Sequence, residues 1–194
     1  MLEIEIKTQI TAPDKIPLFF QKIKQKGYVE KKVEIENDYY YNHPCRDFSK
    51  TDEALRIRVL KHEVQLTYKG PKISSKSKTR VEHEVTVNSE EEMKNILEKL
   101  GFIFVARVYK ERKVFTKKGM ILTVDYLPEV GWFSELEIQE KEEVDFSELE
   151  IQAINELKDI FGENTVFIRD SYLEIMLKQG ILDNYPKENI TKIE

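Results

Sequence analysis

The stretch that decides the fold is residues 2–7, which read LEIEIK. Apolar and charged residues alternate along it without a break. Because successive side chains of a β-strand point to opposite faces, this stretch predicts a strand with one aliphatic face and one face that carries two carboxylates and an ammonium group. A half-buried strand usually exposes small polar residues on its solvent side, so the pattern becomes informative if other strands repeat it.

The bulk composition limits the classes of protein to which the chain can belong. The sequence has 194 residues, of which 40% are apolar and 35% charged, and this is typical of one globular domain with a heavy charge load. The formal net charge of -5 argues against a nucleic-acid-binding protein, which would usually be basic. We expect neither a membrane span nor a signal peptide. Cys45 is the only cysteine, which excludes an intrachain disulfide and favours a reducing, cytoplasmic location.

The periodicity of the apolar residues predicts strands interleaved with helices. The strands are expected near residues 2–10, 33–41, 54–61, 63–69, 79–87, 102–115, 120–127 and 132–139. Amphipathic helices are expected near residues 14–26, between Ser89 and Gly101, near 146–161 and near 170–179. We expect one domain over residues 1–180, followed by a loosely held polar tail over 181–194.

The charged alternation of the first strand returns in six further strands. A solvent-exposed face of an antiparallel sheet explains any one of them. Repetition weakens this explanation, because solvated faces usually draw on Thr, Ser, Gln and Lys, whereas Arg, Lys and Glu dominate here. Two carboxylates about 4 Å apart repel by about 4 kcal/mol at an effective dielectric constant of about 20, and the smaller cost at the spacing within one strand still calls for a compensating cation. The charged residues that share these faces are Glu3, Glu5, Lys7, Arg56, Arg58, Lys69, Arg80, Glu82, Glu84, Lys110, Arg112, Asp125, Glu135 and Glu137.

A closed barrel with the charged faces inside is the alternative that we favour. We therefore predict an α+β fold, an eight-stranded antiparallel β-barrel with helices packed outside. A lumen lined by both signs of charge cannot be a dry core, because unpaired buried charge is too costly. Such a lumen suits a polyanion and its metal ions. Arg and Lys would bind phosphate oxygens, and clustered carboxylates would bind hard divalent cations such as Mg²⁺.

Two further segments have ordinary interpretations. The sequence ELEI occurs a second time at residues 148–151, where the neighbouring apolar residues have helical spacing, so Glu148 and Glu150 are expected to be solvated helix residues. The polar segment at residues 72–78, KISSKSK, is expected to be a solvated loop, with a mobile basic lip over the lumen as the alternative.

The ordered set of motifs resembles the CYTH proteins, also called triphosphate tunnel metalloenzymes. The members of this family include class IV adenylyl cyclases, thiamine triphosphatases and inorganic triphosphatases. The matching motifs, in chain order, are EIEIK, ALRIRV, LTYKGP, RVEHEV, KERKVF, an aspartate strand followed by SELEIQ, and the closing helix SYLEIMLK. Together they cover roughly residues 1–178. The chain departs from the family at Asn42, where an aspartate is frequent, and this leaves open whether Tyr40 or a neighbour faces inward.

The resemblance implies an eight-stranded tunnel that binds a triphosphate with one or two Mg²⁺ or Mn²⁺ ions. Carried over by position, the metal ligands are Glu3, Glu5, Asp125, Glu135 and Glu137, with Glu82 and Glu84 as secondary candidates. The residues that bind the triphosphate are Lys7, Arg56, Arg58, Lys69, Arg80, Lys110 and Arg112. Lys69 and Tyr40 are the candidates for catalytic acid or base, on position alone.

Three functions remain open at this point. The first is a divalent-metal-dependent triphosphatase that hydrolyses inorganic triphosphate or nucleoside triphosphates. The second is a class IV adenylyl cyclase that makes cyclic AMP and pyrophosphate from ATP, because that reaction needs the same cations and metals. The third is a non-catalytic binder of polyphosphate or nucleotide, which would not need the full carboxylate set. No nucleic-acid or membrane partner is expected, and a homodimer is left open.

Overall fold

The residues that the structure describes include nine strands, five α-helices and a short 3-10 helix at Pro13–Lys15. The computed structural model describes residues 2–71, 80–140, 146–186 and 193. The strands are β1 (Leu2–Ile10), β2 (Val29–Asn42), β3 (Ala54–Val59), β4 (Val64–Lys69), β5 (Glu82–Val87), β6 (Ile103–Lys117), β7 (Met120–Leu127), β8 (Gly131–Glu140) and β9 (Val166–Ile168). The helices are α1 (Ile16–Gln25), α2 (Phe48–Thr51), α3 (Glu90–Lys99), α4 (Phe146–Phe161) and α5 (Tyr172–Lys178).

The strands form one antiparallel sheet in the order β5-β4-β3-β2-β6-β7-β8-β1-β9. The predicted α+β class, with helices outside the sheet, is confirmed. The sheet has nine strands rather than eight, because β9 adds three residues to the edge of β1 at Lys7, Thr8 and Gln9. Between the described parts of β5 and β9 there is no pairing, so the sheet wraps around a cavity without closing through hydrogen bonds.

The aliphatic faces of most strands are buried beneath helices, whereas Val33 and Ile35 of β2 and Val85 of β5 are exposed. Ile4 of β1 lies in one cluster with Ile23 of α1 and Leu157 of α4, and all three are fully buried. A second cluster packs Ile57 of β3 with Leu97 of α3. Burial of apolar surface at about 25 cal/mol per Å² makes these outer layers the main source of stability. Among the described helices, none has the length and apolar character needed to cross a bilayer.

The register of the strands brings the charged residues into rows. Glu5 faces Glu137 and Lys7 faces Glu135 across the pair formed by β1 and β8. On the other side of the sheet, Arg56 of β3 lies opposite Thr67 of β4, which lies opposite Glu84 of β5. Because residues directly opposite each other in a ladder share a face, the aliphatic residues between them point to the helices and the charged ones point inward.

The tail beyond α5 and the second ELEI segment differ from expectation. Residues 181–186 are not loosely held, since Asn184 is only 1% exposed and bonds to the backbone of β6. In α4, Glu148 is exposed as predicted, but Glu150 is buried because this part of the helix packs against the sheet. The segment at residues 72–78, for which a loop or a basic lip was expected, lies outside the described residues.

Candidate active site

The concave face of the sheet encloses a cavity of about 560 Å³. Strands from both halves of the sheet contribute to its wall, and α2 and α5 complete it. The predicted site residues that line it are Glu5, Lys7, Tyr40, Arg56, Arg58, Lys69, Arg80, Glu82, Glu84, Lys110, Arg112, Glu135 and Glu137. The geometry therefore brings almost the whole predicted set together, while the roles assigned to these residues stay predictions.

Asp125 is a predicted metal ligand that does not line the cavity, and Glu3 cannot be placed relative to it. Glu3 lies in β1, and its side chain is outside the described part of the structure. Asp125 is fully buried behind Arg112, which donates to both carboxylate oxygens at 2.8 and 2.5 Å. The hydroxyl of Tyr172 donates to Asp125 Oδ2 at 2.6 Å. With both oxygens engaged in this way, Asp125 orients Arg112, and its predicted role as a metal ligand stays a prediction.

Two carboxylates of β2 that were not predicted as site residues, Glu36 and Asp38, are each only 1% exposed. Arg58 donates to both oxygens of Asp38 at 2.7 Å and lies 2.6 Å from Glu36 Oε2. Burial alone would raise the pKa of Glu36, but Arg58, Lys110 and Arg112 lower it to about 2. For Asp38, burial is likewise outweighed by Arg58 and Arg56, which hold its pKa far below the usual value.

The period of two over residues 36–40 was the signal that could have found this pair, although a register irregularity between Tyr40 and Tyr41 interrupts it. Glu36, Asp38, Tyr40 and Asn42 have the same parity in β2, so a strand with Tyr40 facing inward also turns both carboxylates inward. Tyr40 lines the cavity, whereas its role in catalysis stays a prediction. Burial and Asp38 raise the pKa of its hydroxyl, which therefore keeps its proton at neutral pH.

Lys110 and Arg112 of β6 form the centre of the charged network. Lys110 Nζ lies 2.6 Å from Glu36 Oε2 and 3.8 Å from Asp38 Oδ2. Besides Asp125, Arg112 contacts Glu135 at 2.6 Å. Burial, together with the like charges of Arg112 and Arg58, lowers the pKa of Lys110. Each buried cation here is held by carboxylates, as a charged group removed from water must be.

Lys7 of β1 lies on the same wall as Arg112 and is held there by α5. Its Nζ atom lies 3.5 Å from the centre of the Tyr172 ring, 3.1 Å from Glu135 Oε1 and 3.2 Å from the carbonyl oxygen of Asp170. The aromatic face adds a cation–π attraction to the ion pair. Burial and the carboxylate of Asp125 raise the pKa of the Tyr172 hydroxyl well above its usual value. Tyr172 was part of the closing motif, but it was not predicted as a site residue.

The wall formed by β3, β4 and β5 carries a second group of cations. Arg56 donates to Thr67 Oγ1 at 3.2 Å and lies 3.7 Å from Asp38 and 3.9 Å from Glu84. Its Nε atom is buried without a hydrogen-bond partner among the described residues. Lys69 Nζ donates to both oxygens of Glu82 at 2.6 Å.

Burial and the neighbouring Arg56 lower the pKa of Lys69, although Glu82 opposes them. Arg56 has a guanidinium N–H without a partner among the described residues, and burial disfavours the charged form of Lys69. Both features favour the binding of an anion in this part of the cavity. The last predicted cation of this wall, Arg80, precedes β5 and donates to the carbonyl oxygen of Gly70 at 3.4 Å.

The carboxylates of the cavity can hold a metal ion only if a bound ligand supplies further oxygen atoms to it. Glu5 and Glu137 are direct cross-strand neighbours that line the cavity. In the part of the chain that the structure describes, however, no group of three or more His, Cys, Asp or Glu residues has the geometry to hold a metal. Mg²⁺ is usually bound by one or two carboxylates, phosphate oxygens and water rather than by a cage of protein ligands. The donor set therefore fits an ion that is bound jointly with a phosphate chain.

The fold and the site define a class of protein in which an antiparallel sheet surrounds a cavity of mixed charge and carries its helices outside. The family model of the CYTH domain matches residues 1–172. The chain belongs to the CYTH domain family.

Relatives of known sequence or structure agree with this assignment. A protein of Methanocaldococcus jannaschii, provisionally named an adenylate cyclase, is 39% identical over 181 residues, which cover 90% of this chain and 98% of that protein. The solved structure of a Pyrococcus horikoshii protein has 39% identity and a TM-score of 0.80, covering 91% of this chain and 99% of its own. A Hippeastrum protein, provisionally classed as an adenylyl cyclase and described as having a dominant triphosphatase activity, shares the fold at 16% identity and a TM-score of 0.59, covering 93% and 96%.

Proposed function

We propose that this protein is a divalent-metal-dependent triphosphatase that hydrolyses inorganic triphosphate or nucleoside triphosphates inside the cavity. The observation that carries the proposal is the convergence of seven cations from several strands on one enclosed space that also holds the Glu5–Glu137 pair. A linear polyanion satisfies many such cations at once, and charge-assisted hydrogen bonds from Arg and Lys to phosphate are roughly twice as strong as neutral ones.

The cations divide into two walls that would hold the two sides of the phosphate chain. Arg56 and Lys69 belong to the β3–β4 wall, and Lys7 and Arg112 belong to the wall built from β1, β6 and β8. Arg56 lines the cavity, where its guanidinium group would donate to phosphate oxygens. Fixing the chain between two walls restricts the position of the terminal phosphorus, and such positioning is a large part of catalysis of phosphoryl transfer.

Glu5 and Glu137 would hold a Mg²⁺ or Mn²⁺ ion, whose contributions when bound are the neutralisation of phosphate charge and the activation of water. Of the two candidates for proton transfer, we favour Lys69. Its pKa is lowered, and its Nζ atom faces the cavity, so it can donate a proton to a leaving phosphate oxygen. Tyr40 has a raised pKa and keeps its proton, which makes it unsuitable as a base at neutral pH.

Adenylyl cyclase activity is the second candidate, since a relative that is 39% identical carries that provisional name. The products separate the two reactions. The purified protein would be incubated with inorganic triphosphate or ATP in Mg²⁺ or Mn²⁺, and the products separated by ion-exchange chromatography. We expect orthophosphate with pyrophosphate from triphosphate and orthophosphate with ADP from ATP. Cyclic AMP with pyrophosphate would identify a cyclase instead, and binding without turnover would identify a non-catalytic binder.

A further inference from the structure

The C-terminal segment over residues 181–186 lies beside the part of β6 that β7 does not cover, and it acts there as a neighbouring strand would. The backbone N–H of Arg107 donates to the carbonyl oxygen of Leu182 at 2.9 Å, and Arg107 and Asp183 form a parallel bridge. The side chains of these two residues also form an ion pair at 2.9 Å. The segment is therefore attached to β6 through its backbone as well as through a surface charge pair.

Asn184 is the most strongly bound residue of this segment. Its Oδ1 atom accepts the backbone N–H of Tyr109 at 2.6 Å, and its Nδ2 atom donates to the carbonyl oxygens of Tyr109 at 2.9 Å and Pro128 at 3.3 Å. The side chain is almost completely buried. A carboxamide offers an acceptor and a donor as a peptide group does, so the Asn184 side chain pairs with the backbone of Tyr109 as a residue of a neighbouring strand would.

The need for this substitute follows from the register of β6 and β7. These strands pair from Glu111 opposite Tyr126 as far as Lys117 opposite Met120. Two residues further, the same register would place Pro128 opposite Tyr109, but proline has no N–H to donate. Asn184 supplies the hydrogen bonds that the end of β7 cannot make, so β6 changes its partner from β7 to the C-terminal segment at this point.

Lys110 lies at the change of partner, between two residues that the C-terminal part of the chain holds. Tyr109 is bound by Asn184, and the Glu111 carboxylate accepts the backbone N–H of Ile193 at 3.1 Å. We propose that the C-terminal segment is a clasp that fixes the backbone of β6, with Asn184 as a positioning residue that places Lys110 for anion binding. This inference rests on the proposed function. The matched CYTH domain ends at residue 172, so the clasp lies beyond it.

A double-mutant cycle tests whether Asn184 acts through Lys110. The dissociation constant of inorganic triphosphate would be measured by calorimetry for the wild type, Asn184→Ala, Lys110→Ala and the double variant. We expect Asn184→Ala to weaken binding about tenfold, because small displacements of a positioned group are costly. In the Lys110→Ala background, the same change should weaken binding by less than about twofold, since the group that it positions is gone. Equal losses in both backgrounds, or no loss, would overturn the proposal.

The control is Lys26→Ala, which removes two ion pairs between the end of α1 and α4 that do not touch the clasp. Hydrogen exchange of the amides at residues 107–112 gives a readout that does not depend on triphosphate. It should accelerate in Asn184→Ala and stay at the wild-type rate in Lys26→Ala. If wild-type protein bound no triphosphate, the proposed function would fail. Accelerated exchange would then still support the clasp, whereas unchanged exchange would overturn it.

Discussion

Lys110 Nζ lies 2.6 Å from Glu36 Oε2, and both side chains are almost completely buried. Carboxylates of the protein therefore already compensate part of the charge of the cations that face the cavity. A phosphate chain that enters must compete with these carboxylates or add to the network. We therefore make separate predictions for the carboxylates and for the cations of the cavity.

Glu36→Gln removes one negative charge from the buried network and keeps the shape of the side chain. We expect the ligand-free protein to lose about 3–5 kcal/mol of stability, because buried cations are left without compensation. The gain in melting temperature on adding inorganic triphosphate should be larger than in the wild type, since an anion restores the balance. Thermal melts with and without triphosphate measure both effects, and the exposed Glu148→Gln should leave both unchanged. Identical melts for Glu36→Gln and wild type would contradict the interpretation.

The same carboxylate predicts how stability depends on pH. Its folded-state pKa of about 2 lies below the ordinary value of 4.5, so the unfolded state takes up protons first as the pH falls. The stabilisation by Glu36 is complete above about pH 4.5 and is lost as the pH falls towards 2, a difference on the order of 3 kcal/mol. Urea denaturation between pH 6 and about 2.5 should show a steeper decline for wild type than for Glu36→Gln. Parallel curves would argue that Glu36 does not titrate in this range.

Arg56→Ala should weaken the binding of inorganic triphosphate by roughly 10- to 150-fold, the range expected for a charge-assisted hydrogen bond of about 1.5–3 kcal/mol. Metal affinity should remain nearly unchanged, because Arg56 carries no ligand for a cation. Calorimetric titrations with triphosphate and with Mn²⁺ separate the two. Lys113→Ala is the control, since Lys113 lies on the outer face of β6 beside Glu30. Unaltered triphosphate affinity in Arg56→Ala would remove Arg56 from the site.

Glu137→Gln should reduce activity by orders of magnitude if Glu137 and Glu5 hold the divalent ion. Part of the loss should return at high Mg²⁺ or Mn²⁺, because mass action refills a weakened site. Folding should not suffer, since like charges directly opposite each other in a ladder are destabilising. Activity assays over a range of metal concentrations, beside melting curves, test this, with Glu148→Gln as the control in the second ELEI segment. Normal turnover in Glu137→Gln would show that Glu137 of β8 contributes charge to the cavity wall but does not hold the metal ion.

The inward residues were predictable wherever the alternation was clean. Arg56 and Arg58, or Glu135 and Glu137, differ so sharply from their neighbours that strand parity alone selects the face. Glu36 and Asp38 were harder to recognise, because Tyr39, Tyr40 and Tyr41 follow in succession and hide the period of two. Their importance also depends on Arg58 and Lys110, which come from other strands.

Asn184 could not have been recognised in the sequence at all. Its role arises because β7 ends at Leu127 and the following Pro128 cannot donate a hydrogen bond to Tyr109. This requirement exists only after β6 and β7 have paired in one register. The same holds for Tyr172, whose ring lies beneath Lys7 only because α5 closes one wall of the cavity.

The described residues show no ladder between the two ends of the sheet, β5 and β9, and this gives the cavity wall the mechanics of a split ring. A closed cylinder of strands cannot change its circumference without breaking backbone hydrogen bonds, but a split ring can open by bending. Backbone hydrogen bonds therefore do not fix the circumference of the described wall, so ligands of different bulk would meet the same charged surface.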